Sequence, residues 1–148
     1  MIKGSLHTMN YLKPKGFIDK FKAFFRKGHF ADIEVQYDLY NVRAFDLHVA
    51  FTHSGKPYFS YNGVSYKSPS IYKILNFLDR NNDVYVRIVL EGDGVRNEEH
   101  FYNFCSILEQ IYKNMHFFGG YREKDAKIIY LFKGCGFIPK INWYKRLY

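Results

Sequence analysis

Asp46 and His48 stand two residues apart in the stretch Arg43-Ala44-Phe45-Asp46-Leu47-His48-Val49. The stretch has the character of a buried strand, so it takes a carboxylate and an imidazole into a poorly solvated place. An acid there is costly unless it is paired or coordinated. Asp46 is therefore expected at a site, with an ion pair to Arg43 or an outward-facing position as the plain alternatives. His48 can carry a positive charge or donate a proton, and a purely structural role is equally open to it. Fourteen residues after His48 comes Asn62, in Tyr61-Asn62-Gly63-Val64, where the next strand runs into a turn. His7 and Glu91 each follow a short apolar run. Polar groups at the ends of neighbouring strands point to a site at the mouth of a sheet or barrel.

The elements that must position these residues follow from periodicity. Ile2–Leu6 is expected as a short strand ending at His7. Phe17, Ile18, Phe21, Phe24 and Phe25 share one helical face, and a short helix is expected from about Asp32 to Tyr40. Val42–Phe51 is apolar, aromatic and β-branched, as a strand should be. Ser54-Gly55-Lys56-Pro57 is a turn, with Tyr58–Tyr61 as the strand after it. Ser68 and Pro69 suit the cap and first turn of a helix whose stripe is Ile71, Ile74, Leu75 and Leu78. Val84–Leu90 has the near-continuous apolar character of a strand covered on both faces, with Glu91 at its C-terminal end. Asn97 is expected to cap a helix that buries Phe101, Phe104, Cys105, Leu108, Ile111 and Met115. Gly119-Gly120 is expected to break the chain before a strand at Lys127–Phe132. Gly134–Tyr148 shows no clear periodicity.

Strands alternating with helices mean an α/β protein with a mainly parallel sheet. In such folds chemistry collects at the C-terminal ends of strands, where His7, His48, Asn62 and Glu91 fall. The 148 residues suffice for one domain with a real core, and 47% hydrophobic content excludes a disordered chain. No boundary or repeat divides residues 1–148.

The net charge of +8 permits an anionic partner. The basic residues are spread out, with modest clusters at Lys13–Lys27 and Lys140–Arg146, so a generic basic surface explains most of it. Nucleic acid is an unlikely partner, since no recognised binding motif is present. Two cysteines make no metal framework, and a single disulfide between them stays open. With no transmembrane run and no apolar signal core, the cytoplasm is the default location.

Several of these pieces, in order, resemble the X region of phosphatidylinositol-specific phospholipase C. The first histidine motif of that family is matched by Gly4-Ser5-Leu6-His7-Thr8-Met9. Its second-strand motif is matched by Arg43-Ala44-Phe45-Asp46-Leu47-His48, and its Tyr-His-Gly motif by Tyr61-Asn62-Gly63. A helix at Ile71–Leu78 and an acid at Glu91 follow at similar spacing. The resemblance covers about residues 4 to 91 and, more loosely, the strand at Lys127–Phe132.

This resemblance implies a TIM-barrel-like fold, here a partial barrel of about five strands, since a full one takes about 250 residues. It implies a phosphodiesterase acting on a phosphoinositide-type lipid. His7 falls at the position of the general base and Asp46 at the strand acid. His48 falls at the phosphate-binding arginine or the second acid of calcium-dependent members. Asn62 stands at the second histidine, and an amide cannot titrate. Thr8 replaces the orienting acid or amide. Asp46 and Glu91 are the implied calcium ligands, so the cofactor is calcium or none. The implied partners are an anionic phospholipid or another phosphodiester, with the positive charge, Trp143 and Tyr144 meeting a membrane surface. The other class is a catalytically inactive form of the fold that binds a phosphate, a membrane or a partner protein. A partial barrel also exposes strand edges, which invite self-association.

Overall fold

In Ala44–Phe51 the residues Phe45, Leu47, Val49 and Phe51 are large and apolar, while Ala44, Asp46, His48 and Ala50 are small or polar. A strand places these two sets on opposite faces. All eight residues are buried, so both faces are covered. A computed structural model describes residues 1–12, 32–61, 64–65, 70–123, 127–134 and 136–147. The Phe17–Phe25 stripe, the Lys13–Lys27 cluster, Asn62, Ser68-Pro69 and Cys135 lie outside the described residues.

The strands are β1 (Ile2–Ser5), β2 (Ala44–Phe51), β3 (Pro57–Tyr61), β4 (Val64–Ser65), β5 (Tyr85–Leu90), β6 (His116–Arg122), β7 (Ile128–Lys133) and β8 (Ile141–Tyr144). The helices are α1 (Ile33–Asp38), α2 (Ile71–Asp79) and α3 (Val95–Ile111), and a 3-10 turn at Thr8–Tyr11 follows β1. The main run of the sheet is β8-β1-β2-β5-β6-β7. Its first five strands are parallel, and β7 is antiparallel to β6. Since β5 takes one edge of β2, β1 and β3 share the other: β1 pairs with its first two residues and β3 with its last three. Parallel neighbours need long crossovers, and α2 and α3 supply them between β2, β5 and β6.

The helices cover the apolar face of β2. In α2 the buried residues are Ile71, Ile74, Leu75 and Leu78, and in α3 they are Phe101, Phe104, Cys105 and Leu108. Both sets have the spacing of one helical face. They form one core with Phe45, Leu47, Val86, Ile88 and Phe117. The other face is concave, because the sheet curls into a half-barrel. Arg87 on β5 and Trp143 on β8 are separated by two strands, yet the guanidinium lies 4.0 Å from the indole centroid. Gly4 on β1 makes room between them: a Cβ there would stand 2.6 Å from Trp143 Cε3 and from Ile141 Cγ2.

Several expectations need correction. The described sheet has eight strands, where about five were expected. Gly119-Gly120 does not break the chain but lies within β6. A Cβ on Gly120 would collide with the Ile129 carbonyl of β7, and one on Gly119 would lie 3.0 Å from the Ile88 carbonyl. Glycine in a strand marks such close backbone approach, here beside a shift in register. The tail carries β8, which joins the sheet as a parallel edge beyond β1. Gly94, not Asn97, caps α3, and the Asn97 amide instead donates to the Asp93 carbonyl (2.8 Å). Ile111 is exposed, and Met115 is buried but follows the helix. No helix of the described residues is long and apolar enough to cross a membrane.

Candidate functional site

The polar residues of the concave face meet at Asp46. Its Oδ1 accepts from Arg87 Nε at 2.8 Å, and Arg87 is its ladder partner on β5. Its Oδ2 accepts from the His7 backbone N–H at 2.9 Å and from His48 Nε2 at 2.9 Å. Thr8 braces the join between β1 and β2: its hydroxyl donates to the Ser5 carbonyl (2.9 Å) and accepts from the Asp46 N–H (2.7 Å). Asp46 is fully buried, so these partners replace the water it has lost. Burial alone would raise its pKa. The charges of His48 and Arg87 and the histidine hydrogen bonds outweigh that and hold the carboxyl well below its ordinary range.

His48 is held at both ring nitrogens. Nε2 meets Asp46, and Nδ1 lies 2.6 Å from Glu91 Oε1 at the end of β5. Burial would depress its pKa, but Asp46 and then Glu91 overcome this and raise it to about 9. The ring is therefore an imidazolium at neutral pH, donating to a carboxylate on each side. His7 differs. Its pKa is lowered by burial and by the neighbouring His48 charge, against the opposing pull of Asp46. Its Nδ1 lies 3.2 Å from His48 Nε2 and 3.4 Å from Asp46 Oδ2. His7 also takes left-handed backbone angles (φ 52°, ψ 54°), strained for a residue with a side chain.

Tyr61 closes the site from β3. Its ring stands 3.7 Å from the His7 ring and 5.2 Å from that of His48, centroid to centroid. The Arg122 guanidinium, at the end of β6, lies 5.4 Å from the Tyr61 centroid. Between Tyr61, Met9 and the three polar residues is a cavity of about 10 Å³, room for about one water.

Of the residues singled out in the sequence, His7, Asp46, His48 and Glu91 come together in this one network. Asn62 lies outside the described residues. Asp46 pairs with Arg87 and not with Arg43, which pairs with Asp83 (3.0 Å). Glu91 and Asp46 touch opposite nitrogens of His48, so they meet through the ring. Among the described residues, those close enough to share one ion are His7, Asp46 and His48. Trp143 turns its ring to Arg87 on the concave face, whereas Tyr144 is exposed. Sequence reasoning missed Arg122 and the ring contacts of Tyr61. Alternation along β6 would have placed Arg122 on the face of Phe118, but the glycine pair hid that strand. Comparison with protein-family models, with curated proteins and with solved structures returned no match.

Proposed function

We propose that the concave mouth binds and hydrolyses a phosphoric diester, in the manner of a phospholipase C acting on a phosphoinositide-type lipid, on half of a TIM-barrel-like phosphodiesterase fold. One observation carries this reading. Three adjacent parallel strands bring one set of polar residues together on the concave face: His7 just past β1, Asp46 and His48 within β2, and Arg87 within β5 with Glu91 just past its end form a single hydrogen-bonded network. Neutral His7 is suited to remove a proton from an attacking hydroxyl or water, since a base is useful only in its unprotonated form. The imidazolium of His48 and the guanidinium of Arg122 supply positive charge toward a phosphoryl group. Asp46, Glu91 and Arg87 fix the ring of His48 and act through it.

A second reading rests on a different feature. Both nitrogens of His48 and both oxygens of Asp46 are already engaged within the chain. Groups held this fully by partners within the chain position others better than they react. An inactive form that binds a phosphate, a membrane or a partner fits that occupancy. Release of a cyclic inositol phosphate from phosphatidylinositol vesicles, measured beside His7→Ala, decides between the two. Turnover above that control supports the enzyme. Equal turnover in both, with the vesicles still bound, leaves the binding form. Light scattering on the purified chain tests self-association through the edges of the sheet: a clean monomer removes that part of the reading.

A further inference from the structure

We propose that His7 Nδ1, Asp46 Oδ2 and His48 Nε2 form the three-ligand face of a site for a divalent transition metal of the zinc and cobalt class. The three atoms make a triangle with edges of 2.9, 3.2 and 3.4 Å. Donor atoms about 2.1 Å from such an ion stand about 3.0 Å apart in octahedral geometry and about 3.4 Å apart in tetrahedral geometry. The edges of 3.2 and 3.4 Å fall in that interval, and the 2.9 Å edge lies just below it. The longest edge exceeds the roughly 2.7–2.9 Å of a charge-assisted hydrogen bond, so His7 Nδ1 is not firmly held by Asp46.

The surroundings are those of a ligand set. A metal-binding histidine usually gives its other ring N–H to a carboxylate, and His48 Nδ1 lies 2.6 Å from Glu91. Asp46 presents one oxygen to the triangle while Arg87 holds the other at 2.8 Å. The strained turn at His7 sends its backbone N–H to the same carboxylate. Three protein ligands leave a position open, as in reactive rather than structural metal sites. The small cavity under Tyr61 adjoins that face.

The donors also select the ion. Two imidazoles and one carboxylate suit zinc, cobalt, manganese or iron. Calcium takes six to eight oxygens, and Glu91 is bound to the far side of His48. The site stands whether or not the mouth hydrolyses a phosphodiester. A bound ion takes the place of the proton between His48 and Asp46, so the role given to His7 above belongs to the ion-free chain.

The test uses the whole chain, stripped with a chelator and titrated with Co²⁺ by visible absorption and calorimetry. We expect one equivalent bound, displaced by Zn²⁺ and not by Ca²⁺. Glu91→Gln should weaken Co²⁺ about 10- to 100-fold, as loss of an outer carboxylate does elsewhere. His7→Ala should weaken it at least as much, and its fold can be checked by circular dichroism because His7 is partly exposed. If Glu91→Gln does not fold, His7→Ala alone decides. His53→Ala, in the exposed contact with Arg96, should change nothing. Absence of Co²⁺ and Zn²⁺ binding, or binding indifferent to His7→Ala, overturns the proposal. So does equal loss in His53→Ala, the mark of adventitious binding. Hydrolysis is not read, so a chain that binds Co²⁺ and cleaves nothing contradicts the phosphodiesterase alone.

Discussion

The two faces of β2 are made of alternate residues of one strand, and they do opposite work. Phe45, Leu47 and Val49 meet the helices and give up only water. Asp46 and His48, between them, are just as buried but need Arg87, Glu91 and His7 to be tolerable there. Burying apolar area stabilises the fold directly. A buried ion network recovers at best what desolvation cost. The helix-side face thus explains why the chain folds. The concave face adds little to stability, and its charges call for a functional explanation.

The largest effect should come from cutting that network at its centre. Asp46→Ala leaves Arg87 and the His48 imidazolium buried without their shared carboxylate, a loss of about 3–5 kcal/mol. Leu47→Ala, one residue away, leaves an ordinary cavity and costs about 2–5 kcal/mol. Urea unfolding measures both. The contrast sharpens when the charges are removed together. Asp46→Leu with His48→Leu and Arg87→Met should be far milder than Asp46→Ala, and such replacements can even stabilise by about 1–4 kcal/mol. A triple variant as unstable as Asp46→Ala would mean that the concave face does structural work after all.

The pH dependence separates the faces next. The pKa of His48 is raised from 6.5 to about 9 in the folded chain. Its stabilisation is fully present below 6.5 and is lost as pH rises through about 9, a change of about 3 kcal/mol. Asp46 is depressed, so its share is present above its ordinary 3.8 and is lost as pH falls through its folded value. His7 is lowered from 6.5, so it opposes His48: below 6.5 the unfolded chain takes up a proton that the folded chain resists. The urea midpoint should therefore fall between neutral pH and pH 10 in the native chain. His48→Gln should remove most of that fall, and Leu47→Ala should keep it.

This division also explains what was legible in the sequence. The stripe Ile71, Ile74, Leu75, Leu78 and the apolar half of β2 follow period rules that operate within one segment. Both helices and the central strands could be read from them. The C-terminal position of His7 and Glu91 was legible for the same reason, whereas His48, expected near a strand end, lies in the middle of β2. Their bonding was not. The contact of His48 with Glu91 depends on the register of β2 against β5, and that of Asp46 with Arg87 on the same ladder. Arg43, near in sequence, turned to Asp83 instead. β6 was hidden because two glycines stand where side chains would declare a strand. β8 was hidden because four residues with every second one exposed carry almost no signal.

A smaller effect should follow from closing the gap at Gly4. Gly4→Ala brings a methyl to 2.6 Å of the Trp143 and Ile141 side chains, so these must move away from β1. Overpacking of this kind costs about 1–3 kcal/mol. Trp143 is the one tryptophan of the chain, and its fluorescence reports the loss of the Arg87 stack. The emission should move toward that of solvent-exposed indole. An unchanged spectrum would show that the stack is not held by the curl of the sheet.

The smallest change in stability should come from Arg122→Gln. Its guanidinium reaches Tyr61 at the rim of the mouth and makes no contact with Asp46 or Glu91. Replacement of such a partly exposed side chain normally shifts stability by no more than about 0.5 kcal/mol. The same change removes a positive charge from where the proposed phosphoryl group would sit. Binding of phosphatidylinositol vesicles should weaken while the urea midpoint stays. In Asp46→Ala both should fall together. If Arg122→Gln binds vesicles as the native chain does, the anion is met elsewhere, and the concave mouth loses its claim to be the binding face.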